Sequence, residues 1–192
     1  MAHSRLPEVA LRAWAPGDLA LLERLMGDPH MTEHLGGPET PEKIQRRHER
    51  YLALDGPGQM FVITVGPNRE AAGSVGYWEL VWQDETSWET GWNVLPEFQG
   101  QGVATRATAL AVARAGADGR YRRIHAFPAV ENAPSNAVCR KVGFSLIGEC
   151  EVEYPAGRMM RANDWVLDLA GAAGQPSATS RTPASAAATM NP

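Results

Sequence analysis

The run Gly91-Trp-Asn-Val-Leu-Pro-Glu-Phe-Gln-Gly-Gln-Gly-Val-Ala-Thr105 constrains this chain more than any other stretch of it. An apolar segment ends at Pro96, a glycine-rich turn follows at Gln99-Gly100-Gln101-Gly102, and a helical pattern begins directly after it. A strand feeding a helix through such a turn leaves the first N–H groups of the helix without partners, and the helix dipole favours negative charge there. Glycine at 100 and 102 lets the backbone approach an anion with no Cβ between them. The expectation is a phosphate-binding turn, and the question is which phosphate.

Composition narrows the partners. A net charge of -4 argues against nucleic acid, which calls for a basic stripe. No apolar run approaches the ~20 residues of a membrane span, and the first residues lack the apolar core of a signal peptide. Cys139 and Cys150 lie in different elements without metal-type spacing, so both read as free thiols in a cytoplasmic protein. His30 and His34 share helical spacing but have no evident third ligand, and no metal is expected. The expected organisation is one domain over residues 1–170, followed by an Ala/Ser/Thr/Pro-rich tail, 171–192, with almost nothing to bury and hence disordered.

Along the domain, strands are expected at Val9–Trp14, Met60–Val65, Gly73–Val81 and Trp88–Val94, with Gln83–Thr86 as a hairpin connection. Further strands are expected at Arg123–Phe127, Phe144–Glu153 and Asp164–Leu169. Helices are expected at Asp18–Met26, Pro41–Leu54, from Gly102 to about Gly116, and between Asn132 as N-cap and Gly143 as C′ residue. Alternation in the fourth strand puts Trp88, Thr90, Trp92 and Val94 on one face and Glu89, Gly91 and Asn93 on the other. The class is mixed α/β, with hairpins early and helical crossovers late.

Three ligand classes use glycine turns before helices. A nucleoside-triphosphate loop needs Lys-Ser/Thr where Val103-Ala104 stands. A dinucleotide fingerprint needs a third glycine where Thr105 stands, and an acid ending the next strand. The third class is coenzyme A. Gln99-Gly-Gln-Gly-Val-Ala104 resembles the Gln/Arg-x-x-Gly-x-Gly/Ala signature of the GNAT superfamily of N-acetyltransferases. Glu89-Thr-Gly-Trp-Asn-Val94 looks like that family's fourth strand, and Asn132-Ala-Pro-Ser-Asn136 with Lys141-Val-Gly-Phe144 like its following helix and turn. The Asn-x-x-Ser form is similar to the branch that acetylates N-terminal alanines of ribosomal proteins. The resemblance covers nearly all of residues 6–169. It implies a GNAT fold: a mixed, mostly antiparallel sheet of about seven strands, splayed between the fourth and fifth, with about four helices.

The resemblance also implies acetyl-CoA as cosubstrate. The backbone of Trp92, Asn93 and Val94 would bond the pantetheine arm, with a backbone N–H near Val94 holding the oxyanion. N–H groups from Gln99 through Gly100, Gln101, Gly102, Val103, Ala104 and Thr105 would hold the pyrophosphate. Asn132 and Ser135 would complete the cofactor contacts. The acceptor is an amine on a small molecule or a protein N-terminus, and the chain acts as a monomer or homodimer. Lysine titrates near 10.4 and an N-terminus near 7.7–8.0, a gap of roughly 3 kcal/mol in the help a base must give. Glu89 is the candidate base, directly or through water, with Glu79 and His125 as rivals; a carboxylate of raised pKa could act there, and Glu89→Gln is expected to depress the rate most at low pH. The tyrosine that many relatives use to protonate the thiolate is replaced by Cys139, which leaves Ser135 as the candidate acid. Tyr77, Trp78, Trp82, Trp88 and Trp92 intersperse with Glu79, Asp84, Glu85 and Glu89, a mixture that favours a cationic acceptor. The alternatives are a catalytically idle CoA-binding domain and an acyltransferase using another acyl-CoA.

Overall fold

Antiparallel pairing builds the first half of the sheet. In the computed structural model, which describes residues 7–54, 57–170 and 188–189, strands β1 (Val9–Ala13), β2 (Gly58–Val65), β3 (Glu70–Trp82) and β4 (Glu85–Val94) pair antiparallel in that order. Trp82 faces Glu85 across the two-residue turn Gln83-Asp84, where both φ angles are positive (50° and 63°). Such a turn matches the twist of the strands it joins.

The strand alternation sorts side chains to two faces. Met60 and Val62 face the helices α1 (Leu19–Met26) and α2 (Pro41–Leu52), which lie in the β1–β2 connection and pack Leu22, Leu25, Met26 and Ile44 against Trp14. Phe61, Ile63, Val75, Tyr77 and Trp88 face the long helix α3 (Val103–Asp118). Ala107, Ala111 and Ala115 on its inner side are fully buried and let the helix lie close to the sheet. The helix ends at Gly119, whose φ is 70°, within the expected stop from Gly116 to Gly119.

From α3 the chain crosses back to β5 (Arg123–Ala126), parallel to β4. Helix α4 (Ala133–Val142) and the antiparallel pair β6 (Ser145–Glu153) and β7 (Met159–Asp168) follow. The last strand starts five residues before its expected beginning at Asp164. The sheet order is β1-β2-β3-β4-β5-β7-β6-β8, where β8 is Ala188–Thr189, parallel to β6. The expected tail otherwise lies outside the described residues. The architecture is the expected mixed sheet with four α-helices among the described residues, and the eighth strand is an addition.

One irregularity positions everything functional. β4 and β5 pair only at Trp88↔Ile124 and Glu89↔His125, although β4 stays paired with β3 as far as Val94↔Gly73. Beyond Ala126 the chain keeps to β7 instead: Asn163 donates to Pro128 O and Val130 to Arg161 O. Pro128 has no N–H with which to continue a ladder. The result is the splay expected between the fourth and fifth strands.

Asn136 on α4 fastens the far side of this opening. Its Nδ2 donates to Ala129 O (3.0 Å) and Asn132 O (2.8 Å), while its Oδ1 accepts from Asn163 Nδ2 and Trp165 Nε1, both at 2.8 Å. The side chain is buried, and its removal strands Asn163 Nδ2 and Trp165 Nε1, while Ala129 O and Asn132 O keep backbone donors. Asn136→Ala is expected to cost ~2–5 kcal/mol, read as a lower urea midpoint.

Candidate active site

The glycine turn has the form its sequence demands. After a short 3-10 turn at Pro96–Phe98, Gly100 and Gly102 take φ of 72° and 76°, and α3 begins at Val103. The first bond of the helix runs from Arg106 N–H to Gly102 O (3.1 Å), so the N–H groups of Val103, Ala104 and Thr105 precede the helical ladder. A Cβ on Gly100 would meet nothing within 4 Å, so its backbone faces open space. Two glutamines brace the turn from behind: Gln99 Nε2 donates to Val94 O (2.8 Å) and Gln101 Nε2 to Glu97 O (2.9 Å). The turn fits a phosphate by its free N–H groups and absent side chains.

The opening beside β4 supplies a second set of backbone groups. Leu95 N–H bonds Ala72 O across the β3–β4 ladder. Antiparallel residues alternate in direction, so the backbone groups of Trp92 and Val94 turn away from β3, into the gap. Opposite them, Asn132 caps α4 by accepting from Ser135 N–H (3.0 Å). A cavity of about 640 Å³ joins these parts. It is lined by Trp92, Asn93, Val94, Gln99, Gly100, Gly102, Val103, Ala104, Thr105, Asn132 and Ser135. Gln101, whose side chain turns back to Glu97, does not line it.

Through the gap the cavity widens into a chamber on the α1/α2 face. Met26, Met31, Leu35, Tyr51, Met60 and Trp78 line it, with Arg47, Tyr154 and Met160. Two loops meet over it, where a Cβ on Gly36 would fall 2.7 Å from Pro155 Cδ. The loop after α1 lines the cavity with His30, Met31, Glu33, His34 and Leu35. The floor rests on two glycines that pair across the sheet, Gly76 and Gly91. A Cβ on Gly76 would lie 2.1 Å from Met60 Sδ, and one on Gly91 would lie 2.9 Å from the Trp78 ring. Arg47, Tyr51 and Tyr154 escaped the sequence reading. Ile44, Arg47, His48 and Tyr51 are the buried residues of α2, at helical spacing, and polar residues on such an inward stripe are the signal that was there to find.

Glu89 is fully buried and does not line the cavity. Trp78 stands between, donating from Nε1 to Glu89 Oε2 (2.9 Å), while Oε1 has no hydrogen-bond partner. Burial pushes the carboxyl up to about 8 against the opposing pull of the Trp78 hydrogen bond. His125, one strand over, bonds Asp164 (2.7 Å) through Nδ1 and stacks on Phe127. Trp82 Nε1 donates to the other Asp164 oxygen (2.9 Å). Two of the acids expected to mix with tryptophans around the cleft are engaged elsewhere. Glu79 accepts from Tyr121 and Glu85 pairs with Arg123, and neither lines the cavity. Cys139 is wholly enclosed, and burial pushes its thiol up to about 12. His30 and His34 line the cavity, but no group of three metal-type side chains occurs among the described residues.

A family model described as an acetyltransferase (GNAT) domain matches residues 8–145. The chain belongs to the GNAT acetyltransferase family. Membership makes it an acetyl-CoA-dependent acyltransferase. No curated relative matches it in sequence. Solved GNAT structures share its fold. A spermidine N-acetyltransferase from Vibrio cholerae, with CoA and spermine, has a TM-score of 0.70 at 21% identity, covering 84% of this chain and 96% of that one. A ribosomal L7/L12 α-N-protein acetyltransferase with CoA gives 0.69 at 23% identity, covering 83% and 93%. An aminoglycoside acetyltransferase with CoA gives 0.69 at 21% identity, covering 84% and 95%.

The raised Glu89 pKa makes a stability prediction. Between its ordinary value of 4.5 and about 8, the native state holds a proton that the unfolded chain has released. Stability is therefore lost as pH rises through that window. Glu89→Gln removes the titration, so the variant should gain on the parent by more than ~2 kcal/mol between pH 5 and 8.5. Urea midpoints at both pH values check it, and a constant offset would show that Glu89 titrates normally.

Proposed function

We propose that this chain transfers the acetyl group of acetyl-CoA directly to a primary amine, on a protein N-terminus or a small molecule. The continuous cavity carries this reading. It runs from the glycine turn, through the β4–β5 gap, to the α1/α2 chamber, so donor and acceptor approach one opening from opposite sides. Acetyl-CoA supplies the thioester. N–H groups of the Gly100–Thr105 turn hold its phosphates, and Trp92 to Val94 pair with the arm through backbone.

In the reaction a C–N bond forms as the C–S bond breaks. The N–H of Val94 stabilises the oxyanion between these events. The departing thiolate needs a proton. Cys139 is enclosed and does not reach the cavity, and Ser135, on the cavity wall, is the group assigned the task, with water restoring the proton it gives. The amine must lose a proton, which Glu89 takes through a water because Trp78 separates it from the cavity. Similarity to the ribosomal N-terminal acetyltransferase, together with the Asn132-x-x-Ser135 motif, supports a protein N-terminus among the acceptors.

Ser135→Ala should lower kcat ~10–100-fold with little change in CoA affinity, by thiol-release kinetics and calorimetry. With the Glu89 carboxyl near 8, the expectation of greatest help at low pH reverses. Glu89→Gln should lose ~10²–10⁴-fold in rate above pH 8, and the ratio to the parent should narrow below it. A ratio independent of pH would remove Glu89 as the base. Tight CoA binding with no turnover on any amine would favour the idle-domain alternative.

A further inference from the structure

The chamber that takes the acceptor is apolar and poor in negative charge. Met26, Met31, Leu35, Tyr51, Met60 and Trp78 form most of its wall. Among the described residues that line the cavity, one carries a carboxylate: Glu33, which is exposed at the rim. Glu39, close by, commits both oxygens to Arg47, through Nε (3.1 Å) and a shorter bond from Nη2. Arg47 and Lys141 line the cavity with positive charge. Glu79 and Glu85, which could have drawn in a cation, are paired elsewhere on the sheet.

A polyamine or an aminoglycoside carries several ammonium groups, and each one brought out of water needs a carboxylate or comparable acceptor. This wall provides for one. An apolar body, by contrast, gains from every methylene it buries. We propose that the acceptor is a primary amine with a single cationic centre on an apolar body, either an arylalkylamine or a peptide N-terminus with an apolar first side chain. The proposal rests on the N-acetyltransferase reading above and specifies its substrate class. Four methionines, Met26, Met31, Met60 and Met160, line the cavity, and their flexible thioethers adapt to bodies of different shape. The site should therefore serve several apolar amines.

The full chain with acetyl-CoA, assayed for thiol release, tests this with four amines: 2-phenylethylamine, a Met-initiated peptide, spermidine and kanamycin. The better of the first two is expected to exceed both polycations in kcat/KM by ~10-fold or more, and the ranking of those two tells small molecule from peptide. Met160→Glu adds a carboxylate to the wall away from the proposed catalytic groups, and should shift the spermidine to 2-phenylethylamine ratio ~10-fold toward spermidine. Equal or greater kcat/KM on spermidine or kanamycin overturns the proposal and leaves the N-acetyltransferase reading standing. An unmoved ratio in Met160→Glu also overturns it, since wall charge would then not set selectivity. No thiol release with any of the four overturns both.

Discussion

Two neighbouring strands that pair for two residues and then separate determine the rest of this molecule. Backbone N–H and C=O groups away from water must find partners. β4 beyond Glu89 cannot find them on β5, because the chain after Ala126 follows β7. The neighbouring structure answers that shortage piecemeal. Gln99 takes the Val94 carbonyl, and Asn136 ties down the loop that β5 left behind. What stays open on Trp92 and Val94 is a strip of sheet edge shaped for an extended ligand, the mode of recognition by which one strand adds to another. The phosphate turn begins five residues after that strip ends, so one continuous segment of chain presents both.

Charge is handled by distance from the cavity surface. Glu89 is sealed behind Trp78, and Arg47 reaches the cavity wall with Glu39 and Tyr154 already bonded to it. Burying an ionisable group is costly unless it is paired or neutral. The two cases take the two routes: Arg47 is paired, and Glu89 holds its proton into the neutral range. In the proposed reaction, a carboxyl pushed up to about 8 has its proton affinity close to working pH, where an acid–base group is most effective. His125 and Asp164 form a separate buried pair, locked by Trp82 and stacked on Phe127, which places them in the support of the gap.

Much of this was legible before any coordinates. Glycine, proline and Asx punctuation marks the ends of α3, α4 and the β3–β4 hairpin, because each of those ends needs a special φ or a cap that few residue types supply. Gly143, with φ of 102°, and the Asn132 cap stand where the pattern put them. The turn from Gln99 to Thr105 was equally plain, since its chemistry is backbone chemistry and local in sequence. The acceptor chamber was not. Its wall is assembled from α1, α2, two distant loops and β7, and contacts at such separation leave no periodic trace. Tertiary packing also reassigned the acids: Glu79 and Glu85 interleave with tryptophans in sequence but turn to Tyr121 and Arg123 in space. The early start of β7 reflects pairing with β6, which recruits Met159 to Asn163 despite weak local strand character.

The glycines under the chamber have an implication for how such an enzyme changes its diet. Met60 and Trp78 lie flat because Gly76 and Gly91 beneath them have no side chains. One methyl group at either position would tilt the residue above it and make the chamber shallower. The volume offered to a substrate is thus governed by two paired glycines, Gly91 on the cavity wall and Gly76 beneath Met60. A lineage could resize its acceptor there in a single step without altering the turn from Gln99 to Thr105.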